Sequence, residues 1–242
     1  MDMPHYHRCQ RHIDPQLSYE LAIGENPRNA TTSTGGRRKR GVAGTSRLWQ
    51  PGRTLWISFI GAPDRKLKMA IFELACQWTD LSEINLEFDL AEDNDQKAPI
   101  RVLALGNSME NESYIGTDSL AHTDHSMLLT VRPEQERFQS TVLHEFGHAL
   151  GMEHEHQHPE ANIPWNEPAV RVYHEVLGWS DQEIELNFFN KRSGDMIKTA
   201  YDPTSVMHYD VPQAWTLGEE IGINHELSEK DLEFMRLAYP HD

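Results

Sequence analysis

The run His144-Glu145-Phe146-Gly147-His148-Ala149-Leu150-Gly151-Met152-Glu153-His154 constrains this chain more than any other part of it. Between residues 136 and 150, Phe138, Val142, Phe146, Ala149 and Leu150 recur at helical spacing, and Gly151 follows as a C-terminal stop. Positions four apart on a helix lie on one face, one turn apart. His144 and His148 therefore present their imidazoles side by side and can chelate one metal ion. Glu145 stands beside the first of them and can reach a water at the metal without occupying the metal itself. Gly151 permits a left-handed turn that a Cβ would resist, and that turn brings His154 back as a third nitrogen. Three protein ligands with one position left open define a catalytic rather than a structural zinc site. The bland alternative for a bare His-Glu-x-x-His is a helix with two surface histidines. The glycine and the third histidine at set spacing argue against it.

A second element follows in Ser205-Val206-Met207-His208-Tyr209. Alone, Met207 reads as core filling. Together the two motifs resemble the astacin-like branch of the metzincin zinc metallopeptidases, in the form found in microbes and fungi. The resemblance runs from Trp49 to Pro240. It implies an α+β fold: a twisted, mostly parallel sheet with an antiparallel edge strand, two long helices, and a loop-rich helical C-terminal lobe. It also implies Zn²⁺ as cofactor, with His144, His148, His154 and Tyr209 as its ligands and Glu145 and Tyr209 as catalytic residues. Glu145 is then the general base of peptide-bond hydrolysis. Tyr209 ligates zinc in the resting enzyme, bonds the oxyanion in the transition state, or does each in turn, while Met207 forms an apolar floor without touching the metal. Glu155 matches the glutamate after the family's third histidine. His156-Gln157-His158-Pro159 departs from the usual arginine-containing continuation, and Cys9 and Cys76 cannot supply the two disulfides of secreted relatives. Glu155 is thus either structural or a plain surface position.

The rest of the chain supplies a frame for these motifs. Leu55, Ile57 and Phe59 alternate along a strand, and so do Ile84, Leu86, Phe88 and Leu90. Leu67, Ile71, Leu74, Ala75 and Trp78 form a helical stripe over 66–81. Residues 100–105 and 127–131 suit inner strands, and 112–116 an edge strand able to accept an extended peptide along Ser113 to Gly116. Helices are expected near 167–177, 181–188 and 228–238, the last opened by a Ser228–Asp231 capping pair. Residues 89–95 read as an acidic turn without the spacing of a calcium loop. Residues 1–46 read as a poorly packed extension, flexible or pro-segment-like, rich in Gly, Ser and Thr around Arg37-Arg38-Lys39-Arg40. That basic run is a solvated linker, a processing site or a targeting patch. The catalytic domain is placed at 47–242, with an upper lobe at 47–151 and a lower lobe at 152–242.

Composition sets outer limits. Apolar residues at 38% and charged residues at 25% describe a globular chain. The net charge of −16 repels phosphate backbones and speaks against nucleic acid, leaving neutral or basic peptide or protein substrates as the expected partners. No apolar run is long enough to span a membrane, and the N-terminus has no apolar segment of a secretory leader. With two cysteines the expected compartment is the cytoplasm, or the exterior if a leader has been trimmed. Cys76 reads as a buried thiol, and Cys9 as inert or as a thiolate cap on the metal. His156 and His158 are expected in solvated positions, His208 in local contacts. Two other functions stay open: a zinc hydrolase tailoring one small peptide-like substrate inside the cell, and a binding protein that keeps the metal site without activity. Intact Glu145 and Tyr209 argue against the second.

Overall fold

The computed structural model describes residues 13–30, 46–105, 110–192 and 199–241. In chain order the elements are α1 (Pro15–Glu25), β1 (Arg53–Ile60), α2 (Arg65–Ser82), β2 (Leu86–Leu90), β3 (Ile100–Ala104), β4 (Glu112–Ser113), β5 (Met127–Leu129), α3 (Phe138–Ala149), α4 (Glu167–Val176), α5 (Asp181–Ile184) and α6 (Glu229–Ala238). The sheet runs β2-β1-β3-β5-β4. Its first four strands are parallel, with Ile57 opposite Ile100 and Val102 opposite Met127. β4 closes the edge antiparallel to β5, with Ser113 opposite Met127. This is the mixed sheet that the resemblance implies. Leu55, Ile57 and Phe59 carry side chains into a core shared with Ile71, Ala75 and Trp78 of α2 and with Val142 and Phe146 of α3.

Helix α3 is buried along nearly its whole length. Its last carbonyls have no partner within the helix and need outside donors. Trp49 Nε1 donates to Ala149 O at 2.8 Å, and Tyr239 Oη to Leu150 O at 2.7 Å. Trp78 Nε1 of α2 donates to Leu143 O at 2.9 Å. Three aromatic side chains from distant parts of the chain thus hold the helix that carries the motif. A second core lies in the C-terminal lobe, built from Val170, Trp179, Ile184, Phe188, Tyr209, Val211 and Trp215. Helix α6 opens on the expected capping box, with Ser228 Oγ accepting from Asp231 N and Asp231 accepting from Ser228 N.

The expectation of poor packing before residue 47 fails for residues 14–30. Asp14 caps α1 and Pro15 starts it. Ala22 is fully buried, and two asparagine amides tie the segment down. Asn26 Nδ2 donates to Trp49 O, and Asn29 Nδ2 reaches Ala22 O and Leu48 O. Polar side chains rather than an apolar stripe make this attachment, so a search for periodicity passes over it. Cys9 and Arg37 to Arg40 lie outside the described residues. The edge strand is also shorter than expected, two residues long, with Tyr114 N adding one bond to Ser126 O.

Candidate metal centre

Three imidazoles meet at the end of α3. His148 Nε2 lies 3.1 Å from both His144 Nε2 and His154 Nε2, and all three rings are buried. His144 Nδ1 sits 2.8 Å from Val206 O, and His148 Nδ1 sits 2.8 Å from Met152 O. A carbonyl oxygen only accepts, so each Nδ1 carries the proton and each neutral ring turns a lone pair outward at Nε2. Two lone pairs facing each other at 3.1 Å repel unless a cation lies between them. Nitrogens bound at about 2.0–2.1 Å in a tetrahedron stand about 3.3 Å apart, so the donor set fits zinc. Burial, reinforced by the neighbouring His148, holds His154 well below the ordinary imidazole range and keeps it a neutral donor.

Local geometry explains how the sequence reaches this arrangement. Gly151 takes φ 95°. There its N–H bonds His148 O at 2.8 Å and Met152 N bonds Gly147 O at 3.0 Å, reversing the chain. A Cβ on Gly151 would stand 2.9 Å from Leu48 Cδ2. Below the histidines, a Cβ on Gly147 would run into Met207 Sδ and lie 2.9 Å from Trp78 Cζ2. Met207 is fully buried against that glycine. Its loop is held by Asp231, which accepts from Ser205 Oγ at 2.5 Å and from Val206 N at 3.0 Å. The Tyr209 ring lies against His154, with centroids 4.4 Å apart. Glu145 is fully buried in the same helix.

Other residues fall differently from expectation. His156 is not solvated: it is fully buried, stacks on Tyr209 at 4.3 Å, and has Nε2 2.7 Å from Asn187 O. His158 also turns inward, with Nε2 3.0 Å from Thr199 O. The backbone of the irregular C-terminal lobe leaves carbonyls unpaired, and these rings satisfy them. His208 bonds locally, to Tyr209 O and Tyr201 Oη. Glu155 accepts from Asp202 N at 2.8 Å, and burial pushes its carboxyl up to about 7. Among the described residues the acidic stretch at 89–95 forms no metal-ligating cluster; Asp93 pairs with Lys68, and Asn94 Oδ1 accepts from Gly61 N. Sequence reasoning missed Gly147 as a seat for Met207. It also missed the pairing of Glu153 with Arg47 and Arg192, because no local pattern marks a residue whose partners lie far along the chain.

A parallel sheet with one antiparallel edge, backed by a helix that ends in three convergent imidazoles, defines a metzincin-type zinc metalloendopeptidase. The model of the astacin peptidase family matches residues 93–240. Two solved structures of myroilysin are 30% identical to the chain and each covers 81% of it; one is covered over 97% of its own length at a TM-score of 0.72, the other over 87% at 0.62. The hatching enzyme zinc-protease HCE-1 of the medaka fish Oryzias latipes shares the fold at 16% identity, with 81% of this chain and 96% of that one covered and a TM-score of 0.57. No curated protein matches the chain in sequence. The chain belongs to the astacin family of zinc metallopeptidases. Peptides or proteins are accordingly its substrates, and no helix among the described residues is long and apolar enough to cross a membrane.

Proposed function

We propose that His144, His148 and His154 hold the zinc, that Glu145 carries the proton of the hydrolytic step, and that Tyr209 serves the developing oxyanion. The facing lone pairs of His144 and His148, each fixed by a carbonyl on the far side of its ring, carry this reading. Zinc bound there supplies Lewis acidity, enough to bring the pKa of water toward about 7. The chain's own residues do the rest. Glu145, one residue from the first ligand, takes a proton from the attacking water and returns it to the leaving amine. Tyr209 offers a phenolic O–H to negative charge on the former carbonyl oxygen, and at rest it turns toward the metal as a further ligand. Met207 keeps the floor of the site apolar and close-packed. An extended substrate adds along β4, the outer strand of the sheet, through main-chain bonds that do not depend on its side chains. The catalytic unit is residues 47–242, its two lobes meeting near Gly151.

A paired measurement tests the assignment. Wild type and Glu145→Ala are compared for zinc content by elemental analysis and for turnover of a mixed peptide library and casein. Equal zinc with turnover lowered by at least about 10² to 10⁴-fold is the expected result. Undiminished cleavage by Glu145→Ala removes the general base, and wild type free of zinc removes the ligand set.

A further inference from the structure

His144 and His148 are each aimed by a carbonyl on Nδ1, whereas His154 Nδ1 makes no hydrogen bond. The Tyr209 ring packs on this imidazole at 4.4 Å, so what is left to fix is the backbone that carries it, since the groups around a ligand decide how well it is placed for the metal. The residue before it supplies a grip. Glu153 Oε1 accepts from Arg47 NH1 at 3.0 Å, and its Oε2 lies 2.7 Å from Arg192 Nε. Its side chain is 12% exposed, so both pairs sit largely out of water, where charge attraction is screened less.

Both arginines are themselves anchored. Arg47 Nε lies 3.0 Å from Asp118 Oδ2, and its carbonyl accepts from Thr117 N at 3.0 Å. Ser18 of α1 joins the same network, donating to Asp118 Oδ1 at 2.5 Å. Arg192 N donates to Gln157 O at 2.8 Å, and its Nε to Gln157 Oε1 at 3.0 Å. One carboxylate thus ties the backbone beside His154 to the N-terminal segment on one side and to the 157–192 segment on the other. Just after His154 in the chain, Glu155 N donates to Met207 O at 3.0 Å.

We propose that Glu153, held between Arg47 and Arg192, is the positioning residue for His154 and sets how tightly the chain keeps its metal. The proposal rests on the reading that His154 is a zinc ligand. It acts through the backbone: with Glu153 fixed, the loop after Gly151 presents the third nitrogen already in place, and metal binding does not have to order it.

The test uses the full chain as wild type, Glu153→Ala, Glu153→Gln and Glu25→Ala. Glu25 is a control: its side chain is also 12% exposed and pairs with an arginine, Arg53 of β1, but it makes no pair with the 151–154 loop. Zinc dissociation constants are measured by competition with a chromophoric chelator, the Co²⁺ absorption spectrum reports the ligand set, and the metal-free melting temperature reports general damage. Glu153→Ala is expected to weaken zinc binding about 10- to 100-fold, the loss typical of removing an outer partner of a ligand. Glu153→Gln, which keeps the shape and one hydrogen bond, falls between Ala and wild type, and both shift the cobalt spectrum. Glu25→Ala lowers melting without changing either metal readout. Zinc affinities of both Glu153 variants within about threefold of wild type overturn the proposal, as does an equal loss in Glu25→Ala. Wild type that takes up no zinc overturns the ligand assignment as well, which separates that failure from this one.

Discussion

Gly147 occupies a variable position of the metal-site motif, yet the fold leaves it no choice. Any Cβ placed there would sit well inside the contact distance of Met207 Sδ. Gly147→Ala is therefore expected to cost about 1–3 kcal/mol by overpacking, read as a lower urea midpoint. Adding Met207→Ala should recover part of that loss, since the two side chains compete for one space. No recovery would place the conflict at Trp78 instead, whose Cζ2 is the next atom at 2.9 Å. Cys76 makes a pH prediction. Burial first, then Asp80, Asp89 and Glu73, push its thiol up to about 11 from 9.0. The folded chain thus holds the proton more tightly than the unfolded one. The stabilisation is complete below about pH 9 and is lost as pH rises through about 11. At about pH 8 Cys76 should alkylate at least about tenfold more slowly in the native chain than after unfolding, followed by peptide mapping. Equal rates would show an ordinary, accessible thiol.

Strand β3 shows how an element can hide a structural device. The run 100–105 reads as an inner strand, and it is one, but Arg101 within it is almost fully buried. Its guanidinium donates to the carbonyls of Ala98, Ser119, His122 and Asp124, with Pro99 O at 3.3 Å. A ring of carbonyl dipoles replaces water around the charge and pins the segment that leads into β5. Arg101→Met should lose about 3 kcal/mol or more, because it leaves several buried acceptors without donors. Amide exchange should also quicken across 116–126. Exchange unchanged there would mean the loop stands without the arginine. The short apolar run marks the strand because it is a property of neighbours. It cannot detect the arginine's role, because the acceptors belong to a loop that only the fold brings near. Helix α1 is passed over altogether: Asp14 caps it and Pro15 starts it, but it lies in a stretch that reads as a poorly packed extension, and its docking depends on the amides of Asn26 and Asn29.

At the scale of the molecule, the metal site joins parts that the chain separates. It sits between α3, the loop after Gly151 and the Met207 turn, with the second core behind Tyr209. Zinc removal should accordingly loosen the whole catalytic unit. At free zinc about a thousandfold above its dissociation constant, binding adds about 4 kcal/mol of stability. Each kcal/mol corresponds to roughly 2–4 °C in a domain of this size, so a chelator should lower melting by about 8–16 °C. Coincident calorimetric midpoints with and without chelator would mean that zinc does not stabilise the native state. Much of this frame was legible beforehand: two histidines one helical turn apart, a glycine at the reversal, the alternating strands and the Ser228 capping box are set by spacing within a few residues. Those features follow from backbone geometry, which any short stretch of sequence carries. Tertiary structure alone decided the rest: the burial of His156 on Tyr209, the seating of Met207 on Gly147, the carbonyl ring around Arg101, and the hold of Arg47 and Arg192 on Glu153. Each depends on groups far apart in the chain meeting in a dry interior, where a polar atom must find a partner and no local pattern names which one.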